Sequence, residues 1–206
     1  MFGISWQEAA SDSINDVDRK QYFSSVYKKT LTSICSIVMV LLACNFILFD
    51  FMFDPGYSDA RLYLPILGIS IVFVVLGQFF GGIQIGLKKP KQNGISTAVG
   101  AAINLVLTIG LMPAIGLYAA CVSTLIANIA IAAIRILLLR KVVSARLGRR
   151  GVTSLLLLLY FFSTCYIDCG LMFETANLIV AVICFFLLNK SFVIAAGSKL
   201  VGGGRR

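Results

Sequence analysis

The sequence predicts an all-α fold: a polytopic membrane helix bundle of six transmembrane helices with both termini cytoplasmic. Three observations predict it. Hydrophobic residues make up 59% of the chain at a mean hydropathy of +0.93, more apolar side chain than a soluble core of this size buries. They gather into runs of roughly 20 residues, the length a helix needs to cross a hydrocarbon core of about 30 Å. Apart from Arg61, the 18 Lys and Arg residues lie in or beside alternate gaps between these runs, while the other gaps carry Asp50, Asp54, Asp59, Asp168 and Glu174. Basic loops stay on the cytoplasmic side of a membrane, so this alternation sets the topology.

Residues 1–29 form a cytoplasmic interfacial segment. Asp12, Asp16 and Asp18 precede Arg19, Lys20, Lys28 and Lys29, with Trp6 and Tyr22 as interface anchors. Residues 30–140 hold four spans. The first covers about 31–49 and leads into an acidic loop with the turn signal Asp54-Pro55-Gly56. The second covers about 62–87 and ends at the basic turn Lys88-Lys89-Pro90-Lys91. The third, about 95–112, is expected to stop at Pro113, and an uncharged hairpin leads to the fourth, about 117–139. Residues 141–151 form a basic cytoplasmic loop. Residues 152–196 add two further transmembrane helices, about 152–167 and 175–196, and 197–206 is a cytoplasmic tail.

The composition excludes several chemistries. Histidine is absent, which removes the commonest general base and metal ligand. No Cys pair has CxxC spacing, and Cys165 and Cys169 read as small apolar fillers one turn apart. No carboxylate pair or base-activated nucleophile stands within the spans, so the chain is not expected to be an enzyme, and no cofactor or metal is implied. The net charge of +9 sits at helix ends instead of along one stripe, which favours membrane lipids over nucleic acid as the partner.

Polar residues within spans are costly, so they are the first candidates for function. Gly100, Asn104 and Thr108 share one face of the third span, and Ala120, Thr124, Asn128 and Ala132 share one face of the fourth. These seams predict either a close-packed interface with cross-helix hydrogen bonds or a hydrophilic path. The second span carries the consecutive GxxxG pairs Gly77/Gly81 and Gly82/Gly86, read as packing positions, with Gln78 as a substrate contact and Gln84 at the inner interface. Arg135, one turn from the inner end of the fourth span, is expected to snorkel to the headgroups, or else to face a cavity and hold a phosphate or pyrophosphate.

From Gln84 to Leu125 the chain resembles the C-terminal lobe of polysaccharide (O-antigen and repeat-unit) flippases, of the superfamily that includes the multidrug exporters. The likeness is carried by Gln84, Lys88-Lys89-Pro90-Lys91, Ala101-Ala102-Ile103-Asn104-Leu105, Leu111-Met112-Pro113, Gly116, Ala119-Ala120 and Ser123-Thr124-Leu125. The opening, Trp6-Gln7-Glu8-Ala9 with Asp18 and Tyr22-Phe23-Ser24-Ser25-Val26-Tyr27, resembles the segment before that family's ninth helix. Two positions depart: the family often has Asn where this chain has Thr108, and Gly where it has Tyr118.

The resemblance implies a partial, multi-pass transporter of the bacterial inner membrane, with residues 30–140 as the four-helix part of the lobe. It implies a lipid-linked oligosaccharide as substrate, alternating access as mechanism, and dependence on a missing N-terminal lobe. Gln78, Asn104, Thr108, Asn128 and Arg135 would line the substrate path. The alternatives are a related multidrug exporter and a small autonomous membrane scaffold. A membrane-embedded glycosyltransferase would need a larger donor loop than 50–61 provides.

Overall fold

In the computed structural model, residues 6, 10, 18–52, 60–167 and 170–190 are described. Within them the chain forms helices α1 (Arg19–Ala43), α2 (Asn45–Met52), α3 (Ala60–Gly86), α4 (Pro90–Ile115), α5 (Tyr118–Leu139), α6 (Arg149–Thr164) and α7 (Leu171–Leu188), with no strand among the described residues. Five of these, α1, α3, α4, α5 and α7, are long and apolar enough to cross a membrane. The helix in the fifth predicted span, α6, has only 16 residues and opens on Arg149-Arg150. At 1.5 Å per residue it reaches about 24 Å, short of the hydrocarbon thickness.

Several boundaries differ from the sequence expectation for physical reasons. Helix α1 starts at Arg19, well before the predicted span, because Phe23, Tyr27, Leu31, Cys35, Val38 and Leu42 extend one buried stripe through the polar opening. Trp6, expected as an interface anchor, is buried instead: it stacks on Phe79 at 4.7 Å and its indole N–H donates to the Phe79 carbonyl at 2.8 Å. Helix α4 runs past Pro113 and ends at Gly116, whose φ of 56° suits glycine.

The turn from α3 to α4 closes the helix with two backbone bonds, Lys89 N–H to the Gln84 carbonyl and Lys88 N–H to the Ile85 carbonyl, both 2.9 Å. This pairing places Lys88 at φ 57°, a position glycine usually fills. Of the predicted acidic loops, Asp54, Asp59 and Asp168 lie outside the described residues, as do Asp12, Asp16, Cys169 and the end of the sixth span.

Apart from the short α2, which touches α1 and α3, the helices pack as two groups of three. One is α3, α4 and α5; the other is α1, α6 and α7; α1 and α3 join them. The aromatic cluster of Trp6, Phe23, Tyr27, Phe79 and Phe80 fills that junction. It lies toward the end of the bundle where the basic loops gather.

Candidate functional site

The polar residues picked out on the second, third and fourth predicted spans converge on the α3–α4–α5 group. On α4, Gly100 lies so close to α5 that a Cβ there would come within 2.3 Å of Ile131 and 3.4 Å of the Ala127 carbonyl. This close approach brings the two seams into hydrogen-bond range. The Asn104 amide donates to Thr124 Oγ1 at 3.2 Å, and Thr108 Oγ1 lies 2.6 Å from Ser123 Oγ and 3.2 Å from Asn104 Oδ1. Asn128 turns the other way, donating to Ser70 of α3 at 2.9 Å. Asn104 and Asn128 each cross to a neighbouring helix, but to different ones.

Arg135 does not snorkel. It is buried, at 7% exposure, between all three helices. Its Nε donates to Ser96 Oγ at 2.9 Å, Nη1 to the Gly77 carbonyl at 2.5 Å, and Nη2 to Thr97 Oγ1 at 2.8 Å and the Asn93 carbonyl at 3.3 Å. Four acceptors therefore take most of the five guanidinium hydrogens. Glycine on α3 makes the seat: a Cβ at Gly81 would stand 2.7 Å from Nη1 and 2.8 Å from Asn93 Oδ1. The Gly77/Gly81 pair thus packs α3 against a cation as well as against a helix.

No carboxylate pairs with Arg135 among the described residues. A buried charge normally needs a partner, and here helix carbonyls and hydroxyls share that role. With its donors committed to α3 and α4, the guanidinium acts as a clamp. Little of it is left to grip a phosphate.

The remaining candidates are placed differently. Gln78 is exposed, on a stripe of α3 with Leu67 and Ile71 that no other described helix covers. Gln84, expected at an interface, is fully buried with neither amide atom hydrogen-bonded. Three contributors were missed from the sequence: Asn93, Ser96 and Thr97. The signal was present, because they continue the Gly100–Asn104–Thr108 face toward the basic turn, just as Arg135 continues the Thr124–Asn128 face by one heptad. Among the described residues, no group of three His, Cys, Asp or Glu is arranged to hold a metal.

Comparison with family models, curated proteins and solved structures finds no match to this chain. What the arrangement can do is therefore read from its own chemistry. It is a polar-pinned helix trio presenting one open, partly polar face beside a second trio.

Proposed function

We propose that the chain is the C-terminal part of a transporter of the polysaccharide flippase type. It would span the bacterial inner membrane six times with both termini cytoplasmic. In this reading a lipid-linked oligosaccharide moves between this lobe and a second, N-terminal lobe that this chain does not supply. The observation that carries the reading is the open stripe Leu67–Ile71–Gln78 on α3. Helix α3 touches both helix groups, and in this reading its open stripe would face the space between the two lobes. A glutamine left uncovered within an apolar helix is costly against lipid and inexpensive in a wet cavity between two lobes.

The clamp supports the same reading. Alternating access needs lobes that move as bodies, and Arg135 with the α4–α5 seam ties the three helices of the trio to one another. Gln78 is then the leading substrate contact. Asn104, Thr108, Asn128 and Arg135 line the path mainly by holding its wall. A related drug exporter would couple to ions through a buried carboxylate, whereas Glu174, an acid among the described residues, pairs with Arg61 near the start of α3.

Complementation of an O-antigen export defect tests the proposal. The chain fused to an N-terminal flippase lobe should restore export, and the chain alone should not. In the fusion, Gln78→Leu should cut export while leaving the protein level unchanged. Export by the chain alone would overturn the two-lobe reading, and full export by Gln78→Leu would remove that residue from the path.

A further inference from the structure

A second feature lies away from the polar trio, in the α1–α6–α7 group. A cleft of about 550 Å³ opens at the basic end of the bundle, a size typical of small-molecule sites. Helix α1 contributes Ser25, Lys28, Lys29, Thr32 and Ser33, and α7 contributes Leu188 with the following Asn189. The start of α6 contributes Gly148, Arg149, Arg150 and Gly151. Among the described residues, four cations line this one concavity, no acid does, and none of the four is ion-paired.

The cleft is built, not incidental. Ser33 Oγ donates to Asn189 Oδ1 at 2.8 Å, tying α1 to the end of α7. The start of α6 packs directly on α1: Cβ atoms at Gly148 and Gly151 would sit at ordinary contact distance, 3.7 Å from the Lys28 side chain and 3.5 Å from Leu31. Gly148 is the N-cap of α6 and no side chain among the described residues caps it, so the first-turn N–H groups add positive field beside Arg149 and Arg150. The cations of α1 and α6 are thereby held around one space.

We infer that this cleft binds the phosphate of an anionic glycerophospholipid. Guanidinium and ammonium groups match a phosphodiester by charge and by donor geometry. The flanking helices carry exposed apolar side chains at the same level, Val152 and Leu156 on α6 and Phe186 and Leu187 on α7, which suit acyl chains. Basic pockets between membrane helices are a recurring form of headgroup recognition. The inference stands on the cleft alone and holds whatever the bundle transports.

The test uses the full chain in vesicles of phosphatidylcholine carrying a minority of phosphatidylglycerol, extracted for native mass spectrometry. Phosphatidylglycerol should be retained over phosphatidylcholine by roughly tenfold. Lys28→Gln with Arg149→Gln should abolish that preference, and Lys28→Arg with Arg149→Lys should keep it. Lys88→Gln with Lys89→Gln, an equal charge loss at another basic turn, should leave it intact. Equal loss in the Lys88/Lys89 variant would overturn the inference in favour of diffuse charge. Absence of any preference in the unmodified chain would overturn it too. Displacement of the lipid by millimolar inorganic phosphate would reassign the cleft to free phosphate.

Discussion

The two helix groups solve the same packing problem with different bonds. In α3–α4–α5, polar contacts run along the length of the helices: Asn104 to Thr124, Thr108 to Ser123, Asn128 to Ser70, and Arg135 to four acceptors. In α1–α6–α7 the helix faces are mainly apolar. Helix α6 presents Gly151, Ser154, Leu158 and Phe161 inward, and polar ties toward the helix ends include Ser33–Asn189 and Tyr160–Asn177. Apolar faces gain little specificity in lipid, where every alternative surface is equally apolar. Polar pins fix register at a cost in desolvation. The trio that is pinned is also the one bearing the open Gln78 stripe, so geometry is held most firmly where the proposed path lies.

The largest expected effect tests the apolar side of this contrast. Phe161 is fully buried against the α1 face, whereas Leu156 on the same helix is 63% exposed. Phe161→Ala should lower unfolding stability in detergent by about 3 kcal/mol, through lost contacts and the cavity left behind. Leu156→Ala should stay within about 0.5 kcal/mol. Equal effects would mean that α6 does not pack as described.

The next effect belongs to the clamp. Gly81→Ala places a methyl 2.7 Å from Arg135 Nη1, so a guanidinium held by four bonds must move. The expected loss is about 2 kcal/mol. Combining it with Arg135→Met should cost less than the sum of the single changes by about 1 kcal/mol, because the methyl then fills space the guanidinium vacates. Strict additivity in a double-mutant cycle would separate Gly81 from Arg135.

The contrast also explains what could be read from the sequence. The all-helical fold and the membrane-length apolar helices followed from block hydrophobicity, which depends on composition over about 20 residues and survives local error. The α4–α5 seam followed from fourfold spacing of small and polar residues. Arg135 did not follow, because a cation one turn from a helix end is equally suited to snorkelling or to burial. The choice rests on whether a neighbouring helix offers acceptors: two are the carbonyls of Gly77 and Asn93, which have no side-chain signature, and two are the hydroxyls of Ser96 and Thr97. The basic cleft was hidden for a related reason. Lys28 and Arg149 are far apart in sequence, and only the docking of α6 on α1 brings them together.

Smaller effects are expected from the single pins. Asn104→Ala and Asn128→Ala should each cost about 0.6 kcal/mol, the usual worth of one interhelical hydrogen bond in a membrane. Their consequence for register should exceed their energy. Cysteine crosslinking between α4 and α5 should give one dominant pair in the unmodified chain and several in Asn104→Ala. An unchanged crosslinking pattern would reduce the seam to ordinary packing.

The smallest effect lies at the Arg61–Glu174 ion pair, which links the start of α3 to the start of α7 and so bridges the two groups. The side chains are 29% and 16% exposed, so water screens them in part. Arg61→Gln, Glu174→Gln and the double variant should each lose no more than about 0.5 kcal/mol, with a coupling of about 0.3 kcal/mol that fades in high salt. The informative quantity is where the loss appears. If the pair only ties the groups together, hydrogen exchange should rise at the first turns of α3 and α7 and stay unchanged around Arg135. Faster exchange around Arg135 would mean that the trios do not open independently, and the distinction between a pinned body and an apolar one would fail.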